Sequence, residues 1–289
     1  MAATVPPEAA FAECEQLATT HYENFSVLSW FLPRALRPHF SSVYAFCRHT
    51  DDLGDEGAAT PEERLVLLDH WEHDLRRCFS PGETPEHPYL VALHETIQRF
   101  DLPPEPFFAL IKANRMDQLV RHYPTYADLL HYCEHSANPV GRLVLMLYGY
   151  RDAERQRYSD AICTALQLTN FWQDVARDLR ERGRIYLPME DMTRFGYNEM
   201  ALRRSAYTPA FQALMAYEVE RTRTLFYDGL PLLARLEGLP RRAIALFALG
   251  GLNILAAIER QRYDVFAHRP TLSRRQKYWL MVRVAMRPL

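Results

Sequence analysis

The sequence predicts an all-α protein, and three observations carry the prediction. Apolar residues recur at helical spacing through almost every segment. No stretch alternates polar and apolar as a half-buried strand does. Turn signals then cut the chain into runs of helix length. These signals are Pro61, Ser80 to Pro88, Asp101 to Pro106, Pro124, Arg182 to Asp191, Pro209, Glu237 to Pro240 and His268 to Leu272. With 289 residues, no fixed-period repeat and no linker-like tract, the organisation expected is a single domain over 1–289.

The elements follow in order. "FSSVYAFCRHTDDLGDE" reads as a helix that enters the core, because aromatic and apolar residues precede its acidic end. "LVALHETIQRF" and "FFALIKANRMDQLV" are amphipathic helices. Ala161 to Ile185 is apolar around much of its circumference, so a central helix is expected there. The run "AIALFALGGLNILAAI", Ala243 to Ile258, falls short of a membrane span and is interrupted by Gly250, Gly251 and Asn253. It reads as a buried core helix, with a membrane-dipping segment as the alternative.

Bulk composition excludes several function classes. A hydrophobic share of 48%, a charged share of 24% and a net charge of −2 describe a globular chain without a field for nucleic acid. Lysine occurs only at Lys112 and Lys277, so arginine carries the positive charge and suits phosphate recognition. Five scattered cysteines without a C-x-x-C read as thiols in a reducing cytosol. The first residues lack the charged-then-apolar order of a signal peptide, so a cytoplasmic protein is expected.

Two acidic stripes carry the chemistry. On a helix, Tyr44, Arg48, Asp51 and Asp55 share an arc of about 60°, with Asp52 and Glu56 on its shoulder. In "QLTNFWQDVARD", Gln167, Asn170, Asp174 and Asp178 lie within about 80° of one another. Either stripe alone could be a solvated acidic face. Like charges at i,i+4 repel, however, and both stripes sit on otherwise apolar helices. Carboxylate and amide oxygens suit a hard cation completed by water and phosphate, which describes Mg2+. Arg48, Arg177, Arg182 and Arg184 add donors for a diphosphate. No HExxH, Glu-x-x-His, Walker loop or G-x-G-x-x-G occurs, and His131 with His135 reads as structural.

"VYAFCRHTDDLGDE" and "QLTNFWQDVARDLRERGRIYLP" together resemble the two aspartate-rich motifs of the squalene/phytoene synthase family of prenyl synthases. The resemblance runs from Glu23 to about Arg269. It implies an isoprenoid-synthase helical bundle around a central hydrophobic cavity, and a prenyl diphosphate substrate. By motif position it assigns metal binding to Asp51, Asp55, Asn170, Asp174 and Asp178. Tyr44, Arg48 and Gln167 match recurrent positions beside the diphosphate and the reacting carbons. A dry aromatic pocket is needed to protect a carbocation, and Tyr44, Phe25, Phe46, Tyr132, Phe171 and Trp172 are candidates for lining it. Tyr132 and Arg177 complete the expected substrate-binding set.

The opening E-N-F-x-V of "HYENFSVLSWF" resembles the hydroxysqualene synthase branch, which takes presqualene diphosphate and quenches its cation with water. Phytoene or presqualene diphosphate synthesis, and a non-catalytic lipid-binding protein, are the alternatives. Two departures from the family stand out. Asn138-Pro139 should redirect a helix, and Gly251 with Asn253 should leave room for the quenching water. Peripheral contact with a membrane, and with other enzymes of the squalene pathway, completes the expectations.

Overall fold

Threonine and proline start helices where the sequence places them. The Thr60 hydroxyl accepts from the Glu63 amide at 3.2 Å, and the Glu63 carboxylate accepts from the Thr60 amide at 2.8 Å. Thr125 and Asp128 make the same reciprocal box, and Thr208 caps the helix that Pro209 begins. The computed structural model describes residues 5–21 and 32–286. Among them, the only β pairing is a single bridge between His122 and Ile185. The helices are α1 (Pro7–His21), α2 (Arg37–Asp55), α3 (Pro61–Arg77), α4 (Pro88–Phe100), α5 (Glu105–Leu119), α6 (Tyr126–Ser136) and α7 (Asn138–Leu147). Then come α8 (Ala153–Arg177), α9 (Met189–Arg194), α10 (Glu199–Arg203), α11 (Pro209–Gly229), α12 (Gly238–Arg260) and α13 (Arg274–Met286).

The chain divides into two compact units. The first comprises Met1–Leu119 and Pro139–Asp152; the second comprises Val120–Asn138 and Ala153–Leu289. In the first unit α2 packs against α1, α3, α4 and α5. Its core holds Phe46 stacked on Trp71 at 5.8 Å and edge-on to Phe107 at 5.3 Å. The Trp71 indole donates to Thr50 Oγ1 at 2.9 Å, which satisfies the one polar atom of that ring. Leu143, Met146 and Leu147 of α7 close the same cluster.

In the second unit α8 is central, as the sequence predicts, with α6, α11 and α12 packed on it. It begins at Ala153, earlier than expected, and ends at Arg177, where Asp178–Arg182 forms a π-helical turn in place of a helix reaching Ile185. Gly229 lets α11 approach α8, since a Cβ there would lie 2.5 Å from Ile162 Cγ1. The buried Trp172 donates to Thr222 Oγ1 at 2.7 Å across the same contact. The apolar run 243–258 lies in α12, whose Ile244, Ala248, Gly251, Leu255 and Ile258 form one buried face. By length and composition α12 is capable of crossing a membrane, although its inner face is used in packing. At Asn138-Pro139 the helix is interrupted: α6 stops at Ser136 and α7 starts with Pro139 in its first turn. Asn138 Oδ1 is held by the Thr164 hydroxyl at 2.9 Å. All five cysteines are free. Burial pushes the Cys14 and Cys78 thiols up to about 12, so they are unreactive core groups.

Candidate active site

The first stripe lies on α2, and Tyr44, Arg48, Asp51 and Asp55 all fall within that helix. Tyr44 is half-buried against the core of its unit. Arg48 Nη2 contacts Asp52 Oδ1 at 2.5 Å and Glu56 Oε1 at 3.5 Å. The two shoulder carboxylates thus orient the arginine, and Glu56 does so from just beyond the helix end. Asp51 keeps solvent access, and its Oδ1 accepts from the Asn114 amide of α5 at 3.2 Å.

That contact depends on Gly54. A Cβ there would stand 2.3 Å from Asn114 Oδ1, so only glycine lets α5 come this close. Gln118 then donates to the Gly54 carbonyl at 3.0 Å. Asn114, Asp117 and Gln118 are buried. They form a third polar face that the sequence reading missed, although their i, i+3, i+4 spacing in "ALIKANRMDQL" was its signal. Although Asp51 is exposed as a residue, the protein packed around its carboxyl strips enough water to push it up to about 7; the Asn114 hydrogen bond and Arg48 oppose this, while Asp55 and Asp117 add to it.

The second stripe is held by arginine. Gln167 and Asn170 lie on α8, half-buried and exposed respectively. Asp174 receives a fork from Arg269, with Nε at 2.5 Å and Nη2 at 2.8 Å. The Gln173 amide donates to the Pro270 carbonyl, so the segment before α13 is strapped to α8 at two adjacent points. Asp178 opens the π turn and is buried, with Arg182 Nη1 at 3.1 Å from its Oδ1. Burial pushes its carboxyl up to about 6 against the pull of Arg182, and Asp174 raises it further. Arg177 is exposed and paired with Glu181 at 2.9 Å, whereas Arg184 is buried.

Phe171 stacks on Tyr186 at 3.7 Å, and Tyr132 lies 5.9 Å from Tyr186 and 6.1 Å from Phe171. Phe171, Val175, Asp178, Arg184 and Tyr186 line one small cavity of this unit, so an aromatic layer adjoins a carboxylate and a buried cation. Tyr186 and Arg269 were not singled out by the sequence. Arg269 gave no local signal, because its partner lies 95 residues away.

Two expectations are corrected. Phe46 and Trp172 are fully buried and make core contacts instead of lining a pocket. The space expected at Gly251 is filled, since a Cβ there would meet Phe226 Cζ at 2.3 Å and Leu166 Cδ2 at 3.0 Å. Asn253 also turns its amide back onto the Leu249 carbonyl at 2.7 Å. His131 and His135, read as structural, make contacts within α6: His131 Nδ1 lies 3.1 Å from Glu134 Oε2 and His135 Nδ1 lies 2.8 Å from the His131 carbonyl, with the three side chains' ligand atoms within 4.8 Å of one another. Phe25 and the E-N-F-x-V opening lie outside the described residues.

The donors fit a hard divalent cation. They are carboxylate and amide oxygens, and desolvation of the Asp51 and Asp178 carboxyls by the surrounding protein leaves both reluctant to ionise without added positive charge. Neither stripe alone brings three carboxylates within 4.8 Å of one another among the described residues. Residues 18–276 match the family described as squalene/phytoene synthase.

The chain belongs to the squalene/phytoene synthase family. It superposes on the crystal structure of squalene synthase HpnC from Alicyclobacillus acidocaldarius with a TM-score of 0.84 and 48% identity, covering 90% of this chain and 97% of that one. Its fold is therefore the all-helical isoprenoid-synthase fold. It is 33% identical over 272 residues to the 15-cis-phytoene synthase of Synechococcus elongatus, covering 90% of this chain and 87% of that protein. It is also 33% identical over 215 residues to the hydroxysqualene synthase of Rhodopseudomonas palustris, covering 74% and 72%. The family membership makes the protein a head-to-head prenyl synthase type of enzyme.

Proposed function

We propose that the protein converts presqualene diphosphate and water to hydroxysqualene and diphosphate. The observation that carries this reading is the similarity to the hydroxysqualene synthase of Rhodopseudomonas palustris, and the 48% identity to squalene synthase HpnC supports the squalene side of the family over the phytoene side. The phytoene synthase similarity extends over more of the chain than the hydroxysqualene synthase similarity does, and it favours the second reading, condensation of two prenyl diphosphates. Both acidic stripes are intact, which opposes a non-catalytic role.

Magnesium, held by Asp51, Asp55, Asn170, Asp174 and Asp178, would supply positive charge to the leaving diphosphate. Arg48 lies beside Asp52 on the first stripe, and Arg182 and Arg269 stand on the second. They supply fixed guanidinium donors where negative charge grows as the carbon–oxygen bond breaks and its electron pair leaves with diphosphate. Tyr44 and Gln167 position the reacting end, and Arg177 adds charge at the exposed side. The stacked Phe171 and Tyr186, with Tyr132, offer ring faces to the cyclopropylcarbinyl cation while it rearranges. A water oxygen then bonds to the cation and loses one proton, which completes the balance.

The test is product analysis from presqualene diphosphate in ¹⁸O-water. Labelled hydroxysqualene is expected. Phytoene from geranylgeranyl diphosphate, or presqualene diphosphate from farnesyl diphosphate without further turnover, would overturn the reading.

A further inference from the structure

The helix α13 packs by a single narrow stripe. Over Arg274–Met286 only Leu280 and Val284 are buried. Leu280 Cδ2 reaches to within 3.9 Å of where a Cβ on Gly250 of α12 would stand. The helix is nevertheless built to form, since Ser273 and Gln276 cap its start reciprocally at 2.9 and 3.3 Å.

Opposite the packed stripe lies an apolar face. Tyr278, Val282, Met286 and Trp279 fall within about 100° of one another on the helix. Tyr278, Trp279 and Met286 are 59%, 68% and 76% exposed. They form the largest grouping of exposed bulky apolar side chains on one element of the described residues. A solvated helix has no reason to turn tryptophan and tyrosine outward and bury only two aliphatic residues.

Charge identifies the occupant. Arg274, Arg275, Lys277 and Arg283 give α13 four cations, and no acidic residue occurs from Ser273 to Met286, in a chain whose net charge is −2. Lys277 and Arg283 flank the apolar face on its two shoulders, and the two arginines sit in the first turn. Aromatic and apolar residues bounded by cations make the pattern of a helix lying in a membrane interface, with rings at the headgroup level and cations on anionic lipid. Two copies of this face would set cation against cation, which opposes self-association.

We propose that α13 docks the protein on an anionic lipid surface, with Tyr278, Trp279 and Met286 inserted among the headgroups. The inference stands apart from the reaction, because it rests on this face alone.

The test is flotation of the intact chain with vesicles of phosphatidylcholine, and with vesicles that also contain phosphatidylglycerol. Binding is expected only to the anionic vesicles and should weaken with added salt. Each cation removed should weaken it about fivefold, so that the triple variant R274Q/R275Q/R283Q loses about a hundredfold. The double variant Y278S/W279S should lose binding while keeping the melting temperature, because both side chains are exposed. Brominated lipid should quench tryptophan emission in the intact chain and less in Trp279→Phe. The single Arg283→Gln variant gives the same reading if the multiple variants fail to fold. Absence of flotation, equal binding by the variants, or a dimer in sedimentation that Y278S/W279S abolishes would each overturn the proposal.

Discussion

Asp51 and Asp174 are alike in the sequence, each half of an i,i+4 carboxylate pair on a largely apolar helix, but their neighbours differ. Beside Asp51 stands a neutral amide, Asn114, admitted by Gly54, with Asp117 adding further negative charge. Beside Asp174 stands the forked guanidinium of Arg269, with Arg182 on the adjoining Asp178. The direct partner of Asp51 is therefore a neutral amide, whereas that of Asp174 is a guanidinium. A carboxylate held by an amide favours a proton or a metal ion more than one held by a forked arginine, which must exchange a partner to bind metal. The two stripes should differ in how they respond to pH and to the loss of their neighbours.

The largest effect expected is catalytic. Asp51→Asn and Asp174→Asn should each lower kcat/KM at least about a hundredfold in a diphosphate-release assay. A loss confined to one of them would break the likeness between the stripes. Next in size is packing: Gly251→Ala, which drives a Cβ into the Phe226 ring, should cost about 1–3 kcal/mol less a helix gain of up to about 1 kcal/mol, read from thermal unfolding. Gly54→Ala should cost less, because only the Asn114 side chain must yield, but it should strip Asp51 of its amide and move metal binding to higher pH.

The pH prediction follows from the two raised carboxyls. In the native state Asp51 holds its proton to about 7 and Asp178 to about 6, against 3.8 for the ordinary group. Between about pH 4 and 7 the native state binds more protons than the unfolded one, so these groups' contribution to stability falls as pH rises. Magnesium should reverse that loss. The rise in melting temperature it produces should be larger near pH 8 than near pH 5 by roughly the two carboxyls' deprotonation. Equal rises would remove the aspartates as its ligands. The smallest effect concerns the strap. Arg269→Gln should tighten magnesium binding without substrate by up to about fivefold in calorimetry, since the ion no longer displaces a partly exposed ion pair.

Much of this was legible in the sequence because helices repeat locally. The spacing of Tyr44, Arg48, Asp51 and Asp55 placed them on α2, and prolines marked the starts of α3, α4 and α11. The central position of α8 followed from its apolar circumference. What the pattern did not carry is partnership across distance. Asn114 reaches Asp51 because Gly54 is 60 positions away in sequence and yet in contact, and Arg269 meets Asp174 from farther still. The error at Gly251 has the same origin. A glycine read alone suggests empty space, but here it is the seat of a neighbour's ring. Similarly, Phe46 and Trp172 could not be told from pocket residues until Trp71 and Thr222 were seen beside them.

The division of the chain at Leu119 and again at Asn138-Pro139 bears on the order of assembly during synthesis. The core of the first unit lacks Leu143, Met146 and Leu147 until α7 has emerged from the ribosome. By then residues 120–138, which belong to the second unit, have already emerged and must wait for α8. Neither unit can be completed by an uninterrupted stretch of nascent chain, so the simple sequence of one finished domain followed by the next is closed to this protein. For some tens of residues of translation it must carry an open apolar slot that α7 later fills, an interval open to misassembly.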